Sequence, residues 1–170
     1  STSTSPRRTP DRFAAMRLEY FEMIDSVDAF DAEKGHIEAT AHVPDGSPVF
    51  EGHFPTYPIM PGVMLLETMN HASGYLMLGL NQCSKLPFFV GSKRVKIRRF
   101  VTPGQVMKVA VDLVHEGSGF CVTKGTIRVG KELIAEAEMT MMLMNFPTPE
   151  LGAEVVRRAV LAGMKLPVTA

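Results

Sequence analysis

The chain contains few of the residues that mark several common classes of protein. It has no tryptophan and only two cysteines, Cys83 and Cys121, among its 170 residues. Two cysteines provide neither a disulfide framework nor a metal-cluster motif, so we expect a reducing, cytoplasmic location. Lysine and arginine together number 18, as do aspartate and glutamate, and the resulting net charge of zero argues against a general nucleic-acid binder.

Long uninterrupted hydrophobic runs are also absent. The longest apolar tract, residues 63–80, is broken by Glu67, Asn70 and His71, which argues against a membrane span and favours a buried helix. No secretory hydrophobic region is present. Residues 1–10 are rich in Ser, Thr, Arg and Pro and are expected to be disordered. Their composition resembles that of a transit peptide, but the two prolines interrupt the amphipathic pattern.

The remaining pattern fits one α+β domain. Apolar residues make up 45% of the chain and charged residues 21%, which is typical of a globular protein. A helix is expected to begin at Pro61, to run to about Leu80 and to be buried on every side. Alternation of apolar and polar residues predicts six strands, the first two as a hairpin and the last four as a meander: residues 19–30, 36–43, 88–101, 106–115, 120–129 and 133–143. A curved antiparallel sheet wrapped around the helix fits this order.

Further helices are expected near the two ends of the chain. Residues 11–17 can form a short helix. Residues 148–150 supply a capping threonine, a first-turn proline and an early acid for a terminal helix, which Gly163 can end. The expected divisions of the chain are a disordered start, a main domain and a C-terminal helical extension: residues 1–10, 11–146 and 147–170.

Residues 52–69 carry the clearest chemical signal. His53 lies in a proline-rich loop, Pro61 and Gly62 open the buried helix, and Glu67 lies inside that helix. A buried carboxyl group without partners tends to stay protonated and can act as a general acid, whereas histidine is the natural base near neutral pH. Free backbone N–H groups at the helix start can stabilise negative charge on a carbonyl oxygen. An acid, a base and an oxyanion site are therefore available within one short segment.

This segment closely resembles the signature of the (3R)-hydroxyacyl-acyl carrier protein dehydratases of fatty-acid synthesis, which have the hot-dog fold. Their pattern is Gly-His-Phe-Pro, then Pro-Ile/Val-Met-Pro-Gly-Val and an acid in the helix. Residues 89–104, a basic strand that ends in Val-Thr-Pro-Gly, also resemble the family, and the resemblance extends over residues 20–143. It implies a reversible syn elimination of water that gives a trans-2-enoyl thioester without a cofactor or metal. A glutamate at the acid position is similar to the branch that only dehydrates.

The resemblance also implies roles for individual residues. His53 would move the proton at C2, and Glu67 would protonate the leaving 3-hydroxyl group. The Gly62 N–H would polarise the thioester carbonyl, and Val63 would line the reactive end of an acyl tunnel. In this family the histidine and the acid meet across a homodimer interface, so His53 should face Glu67 of the partner subunit, and trimers of dimers are common. The substrate would arrive on acyl carrier protein.

Three further groups of residues have two interpretations each. The first group is the run of basic residues at positions 93–99. It is either a solvated strand face or, in the family context, a docking surface for acidic acyl carrier protein. Alternation places Arg94, Lys96 and Arg98 on one face of the strand, and the whole group is Lys93, Arg94, Lys96, Arg98 and Arg99. Phe88 and Phe89 either gate the tunnel or pack in the core. His71 lies one turn from Glu67 and either packs as an ordinary helix residue or perturbs the acid.

Departures from the family pattern leave the substrate open. Thr56 replaces a glycine and is followed by Tyr57, Phe100 replaces a proline, Gln105 replaces an aspartate, and the chain continues beyond Phe146. A specialised dehydratase for unusual or very long acyl chains is one interpretation. The alternatives are a hot-dog acyl thioesterase, against which the His-Phe-Pro loop argues, and a non-catalytic acyl-binding module, which would need neither the histidine nor the acid.

Overall fold

The structure is a computed structural model that describes residues 17–167. Within that range a short 3-10 turn, Leu18–Tyr20, precedes the main elements. The strands are β1 Ser26–Asp31, β2 His36–His42, β3 Leu86–Ile97, β4 Val106–Gly117, β5 Phe120–Val129 and β6 Glu132–Met144. The helices are α1 Pro48–Gly52, α2 Gly62–Leu80 and α3 Pro149–Leu161. None of these helices combines the length and the hydrophobicity that a bilayer crossing requires.

A six-stranded antiparallel sheet packs against α2. The strand order is β1-β2-β4-β5-β6-β3, so the first hairpin and the run β4-β5-β6 pair as the sequence predicts. Val109, Ile127 and Ala137 of three neighbouring strands are buried in the core cluster. Met69 and Leu76 of α2 are fully buried in the same cluster. The expected α+β architecture, an antiparallel sheet with one long central helix, is confirmed.

The position of β3 differs from the predicted meander. β3 pairs with β6, with Phe89 opposite Met141 and Ile97 opposite Ala135, and it lies at the edge of the sheet instead of beside β4. Residues 98–105 then carry the chain to β4, because a segment of that length can cross three strand spacings of about 4.8 Å each. The spacing of strands along the sequence does not distinguish such a crossing from a hairpin, so the prediction for β3 is wrong.

The residues before β1 also differ from the prediction. Residues 19–30 are predicted as one strand, but only the part that forms β1 joins the sheet. Backbone hydrogen bonds of 3.0 and 3.1 Å close the turn at Leu18–Tyr20, whose first residue is fully buried, as is Met23. Core packing therefore favours a turn over a continuous strand. The disorder predicted over residues 1–10 and nearly all of the helix predicted over residues 11–17 lie outside the described residues.

Helix α2 has one buried face and one open face, although the sequence predicts burial on every side. The sheet side carries Leu65, Met69 and Ala72, which are almost completely buried. In contrast, Val63 is 77% exposed and Glu67 is partly exposed. A single sheet can cover only one side of a helix. The opposite surface of α2 is therefore left open by the described residues of one chain.

The C-terminal helix forms as predicted. Thr148 Oγ1 accepts a hydrogen bond of 3.2 Å from the backbone N–H three residues later, and Pro149 occupies the first turn. Gly163, with a φ of +106°, follows the end of the helix, where its left-handed backbone needs no side chain. Ala159 and Met164 are buried in the core cluster. Helix α3 is thus attached to the main domain.

Candidate functional site

A short helix that is absent from the sequence-based prediction positions His53. Ser47 caps α1 with its hydroxyl oxygen, which accepts the Val49 N–H at 3.2 Å, and Pro48 occupies the first turn. His53 follows the last residue of α1, and its N–H donates to the Val49 carbonyl at 3.1 Å. The Ser-Pro pair is the sequence signal that identifies this helix, although the surrounding prolines favour a loop.

The hydrogen bonds of His53 fix its tautomer. Its Nδ1 lies 3.0 Å from the Ile59 carbonyl oxygen. A carbonyl oxygen only accepts, so Nδ1 carries the proton and donates it, and Nε2 of the neutral ring is left as an acceptor. The Ile59 N–H in turn donates to the His53 carbonyl at 3.0 Å, which ties the loop back to the histidine. Among the described residues Nε2 has no hydrogen-bond partner, so it is available to remove a proton from a ligand.

Residues 54–60 form a tight loop beside the histidine. Phe54 and Tyr57 exchange backbone hydrogen bonds of 3.1 and 3.2 Å. The Phe54 ring stacks on the imidazole of His53, with 4.3 Å between the ring centroids. Tyr57 contacts the ring of Phe100 edge-on, with 6.3 Å between centroids. Tyr57 and Phe100, two departures from the expected family pattern, thus meet next to the histidine loop.

Glu67 lies in the second turn of α2, between the buried and the open face of the helix. Partial burial raises the pKa of its carboxyl group above the ordinary value of a glutamate. Asn70 donates from Nδ2 to Oε2 at 3.3 Å, and this hydrogen bond lowers the pKa by a smaller amount. The net direction is therefore upward. A raised pKa increases the protonated fraction near neutral pH, which is what a general acid requires.

His71 lies on the same face of α2, one turn beyond Glu67. Its Nε2 is 3.5 Å from Glu67 Oε1. Burial, reinforced by the positive charge of Arg158, lowers the pKa of His71 to about 4, so the ring is neutral at physiological pH. Its buried Nδ1 has no hydrogen-bond partner among the described residues. Of the two interpretations of His71, the short distance from its Nε2 to Glu67 favours contact with the acid.

The start of α2 is accessible. The N–H groups of Gly62 and Val63 have no acceptor within the helix because they belong to its first turn. A Cβ atom placed on Gly62 would lie 3.7 Å from the side chain of Ile97 in β3, so the helix start adjoins that strand. The exposed start of α2 therefore presents backbone N–H groups that can donate to a thioester carbonyl oxygen, as the resemblance implies for Gly62.

The basic residues of β3 and the following segment face acidic residues of β6. Ion pairs bring Arg94, Lys96 and Arg98 to Glu136 and Glu138, although an irregular register between Lys93 and Lys96 interrupts the simple alternation expected there. The pairs are Arg94–Glu138 at 3.3 Å, Lys96–Glu136 at 4.0 Å, Arg98–Glu136 at 3.3 Å and Arg99–Glu132 at 3.1 Å. These pairs neutralise part of the positive charge. The docking role of this surface stays a prediction.

The two phenylalanines at the start of β3 lie in different surroundings. Phe88 is half-exposed, whereas Phe89 packs against the core cluster. Phe89 therefore has the ordinary core position that was one of its two interpretations. Gating of a tunnel by Phe88 stays a prediction.

Two cavities lie near these residues. The larger, of about 460 Å³, is lined in part by Ile97, Arg98 and Arg99, and it adjoins the helix start through Ile97. The smaller, of about 190 Å³, lies beside Asn70 and His71. In the described part of the chain, no group of three His, Cys, Asp or Glu side chains is arranged to hold a metal ion.

Comparison with known proteins identifies relatives over most of the chain. A family model described as a FabA-like domain matches residues 16–138. The 3-hydroxyacyl-acyl-carrier-protein dehydratase FabZ of Symbiobacterium thermophilum is 38% identical over 132 residues, which cover 76% of this chain and 92% of that protein.

Solved structures support the same architecture at lower identity. A hypothetical protein from Staphylococcus aureus has a TM-score of 0.60 at 19% identity and covers 76% of this chain and 98% of its own. A hypothetical thioesterase from Streptococcus pneumoniae, solved with coenzyme A, has a TM-score of 0.56 at 16% identity and covers 72% of this chain and 90% of its own. At such identities these likenesses establish the fold alone, which is the expected hot-dog fold.

Proposed function

Because the chain belongs to the FabA-like domain family, we propose that it is a dehydratase that removes water from a (3R)-3-hydroxyacyl group carried on acyl carrier protein and forms the trans-2-enoyl product. The observation that carries the proposal is that the region matched by the family model contains both a candidate base, His53, and a candidate acid, Glu67. Nε2 of His53 has no hydrogen-bond partner in residues 17–167, and Glu67 has a raised pKa. The relative from S. thermophilum is named for this reaction.

In the proposed reaction, Nε2 of His53 takes a proton from C2 of the substrate. The electron pair of that C–H bond becomes the second bond between C2 and C3, the C3–O bond breaks, and the hydroxyl group leaves as water with the proton of Glu67. The Gly62 N–H donates to the thioester carbonyl oxygen while negative charge develops there, and Val63 lines the reactive end. Proton exchange with solvent then restores neutral His53 and protonated Glu67.

A second copy of the chain is proposed to complete the site. Within the described residues of one chain, no hydrogen bond or ion pair joins His53 to Glu67. Strand β3 is a 12-residue edge strand with exposed apolar side chains, among them Phe88 and Ile97, and such an edge favours pairing with another strand. Two chains joined along β3 form a homodimer in which His53 faces Glu67 of the partner subunit.

Acyl carrier protein is proposed to dock at the basic end of β3. Arg98 and Arg99 line the larger cavity together with Ile97, which adjoins the start of α2. An acidic partner attracted to these arginines would deliver its acyl thioester close to the proposed oxyanion site. Glu136 and Glu132 already pair with the two arginines, so the attraction is moderate.

We also propose a cytoplasmic location. Cys83 and Cys121 are both free thiols, and burial raises the pKa of Cys121 to about 11, with a smaller contribution from the charge of Glu116. Unpaired thiols with little thiolate character fit a reducing compartment.

Turnover of 3-hydroxyacyl-acyl-carrier-protein substrates tests the proposed reaction. Enoyl formation and free-thiol release are followed together in the wild type, in His53→Ala and in Glu67→Gln. We expect enoyl product without thiol, reduced by about a hundredfold to ten-thousandfold in each variant. His115→Ala is the matched control, because it removes an exposed histidine of β4, and it should keep wild-type turnover.

Other products would overturn the proposal. Release of free thiol by the wild type would identify an acyl thioesterase. Tight binding of an acyl ligand without either product, unchanged in His53→Ala, would identify a non-catalytic acyl-binding module.

A further inference from the structure

Helix α3 lies beyond the region that the family model matches, which ends at residue 138. It is nevertheless fixed to the domain, because Ala159 and, just after the helix, Met164 are buried in the core cluster. Val155 and Arg158 of α3 line the smaller cavity. An element outside the family pattern therefore forms part of a cavity wall in the family domain.

The smaller cavity continues from the proposed acid along α2. Asn70 donates to one oxygen of Glu67 and His71 lies 3.5 Å from the other, and both residues line the cavity. Gly74, one turn further along, also lines it, and no described atom lies within 4 Å of the position that a Cβ would take there. The missing side chain at Gly74 thus leaves space that leads away from Glu67.

Most of the remaining lining is hydrocarbon. Leu78 of α2, Leu86 of β3, Met141 of β6 and Val155 of α3 contribute apolar side chains. This apolar part of the lining suits an unbranched alkyl chain, since each buried methylene strengthens binding roughly fourfold through the hydrophobic effect. Arg158 lies one turn after Val155 and lines the same cavity, and its positive charge acts on His71 near the acid.

We propose that α3 is the outer wall of the acyl-chain pocket and that the size of residue 155 limits the length of the acyl chain that the enzyme accepts. The inference rests on the proposed dehydratase function and adds a specificity-determining residue to it. With valine at this position and a cavity of about 190 Å³, the preferred substrates carry short to medium unbranched acyl chains, not very long ones.

Paired substitutions on α3 test the wall. Val155→Trp fills the cavity and Val155→Ala enlarges it, while Leu161→Trp and Leu161→Ala make the same changes at a residue of this helix that is 71% exposed. Val155→Trp should lower kcat/KM for the longest accepted substrates by about tenfold or more and leave the shortest within about twofold. Val155→Ala should raise kcat/KM for the next longer substrates by about fourfold per added methylene.

Several outcomes would overturn the inference. One is an unchanged chain-length profile in both Val155 variants, and another is the same shift in the Leu161 controls. If Val155→Trp does not fold, Val155→Ala still decides the question, because it must move the limit in the opposite direction. If the wild type shows no turnover at all, the proposed function fails separately, and binding of saturated acyl-acyl-carrier-protein chains of varied length to the same variants then tests the wall.

Discussion

Nε2 of His71 lies 3.5 Å from Oε1 of Glu67, one helical turn away on α2. Asn70 donates to the other carboxyl oxygen at 3.3 Å, so the acid lies between two polar side chains of its own helix. A pKa of about 4 keeps His71 neutral, so the ring beside the carboxyl group lacks the full positive charge that would lower the pKa of Glu67 strongly. This arrangement is compatible with a protonated acid.

Replacing His71 by glutamine should preserve most of the activity, because an amide keeps a neutral donor beside Glu67. His71→Leu should lower kcat by about tenfold or more, since the carboxyl group loses its orientation. It should also raise the pKa of Glu67, because leucine replaces a polar neighbour with an apolar one and increases desolvation of the carboxylate, and move the alkaline limb of the pH–rate profile upward. Measurement of kcat against pH checks both effects. A fall in kcat without movement of that limb would indicate a merely structural role.

The depressed pKa of His71 also predicts a loss of stability in mild acid. The ring titrates near 6.5 when unfolded and near 4 when folded, so between these values the unfolded state binds more protons. The contribution of neutral His71 is complete above pH 6.5 and is lost as pH falls toward 4, by on the order of 3 kcal/mol. Denaturant unfolding across this range should show a shallower decline in His71→Gln than in the wild type. Parallel declines would contradict the prediction.

Complementation between inactive chains tests the shared site. A dimer of one His53→Ala chain and one Glu67→Gln chain contains one intact site out of two if each site takes one residue from each subunit. Equal co-expression makes roughly half of the dimers mixed, so activity should recover to roughly a quarter of the wild-type level. Each variant expressed alone is the control. If mixed dimers identified by native mass spectrometry are inactive, both residues of a site come from the same chain. The same measurement distinguishes a dimer from a trimer of dimers.

Removal of the charges of Arg98 and Arg99 should weaken recognition of the carrier protein. The double alanine variant should raise KM for the acyl-carrier-protein substrate by about three- to tenfold at low salt, and by less at high salt because the attraction is screened. The same acyl group on a small thiol should react as before. Lys34→Ala, in the exposed turn between β1 and β2, is the control. Equal effects on both substrates would mean damage to the site instead of lost docking.

Close contact between α2 and the sheet at Gly125 of β5 predicts a cost for any side chain there. A Cβ at this position would lie 3.0 Å from Cβ of Met69 and 3.0 Å from the end of Met139. Gly125→Ala should therefore destabilise the protein by about 1–3 kcal/mol through overpacking. Gly46→Ala, which adds a methyl group where no atom of the described residues lies within 4 Å, should change the free energy of unfolding by less than about 0.5 kcal/mol. Equal midpoints of denaturant unfolding for the two variants would refute the close approach.

Helices, strands and caps that depend on residues close together in the sequence were predictable. Strand β5 has the predicted bounds, residues 120–129, and α2 begins at Gly62, directly after the proline expected at its start. Thr148 caps α3 as its residue type indicates. The candidates for base and acid, His53 and Glu67, were identifiable because a proline-rich loop and a carboxyl group in an apolar helix are local features. Their catalytic roles stay predictions.

Features that depend on distant parts of the chain were not predictable. Alternation along β3 indicates which side of the strand is buried, but it does not identify β6 as the neighbour. The apolar surface of α2 around Val63 indicates burial without distinguishing cover by the same chain from cover by a second copy. The packing of Val155 beside the cavity depends on where α3 folds back, which the pattern of that helix does not contain.

The pairing of β3 with β6 also fixes an order of events during synthesis. Residues 86–97 leave the ribosome well before residues 132–144, yet β3 joins the sheet only through β6 in the described fold. The edge proposed for association is therefore complete only when nearly the whole domain has emerged. Half-made chains, which are the most prone to pair wrongly, lack that edge. If copies associate along β3 as proposed, assembly serves as a check on the chain, because a copy with a defective last strand lacks the completed edge.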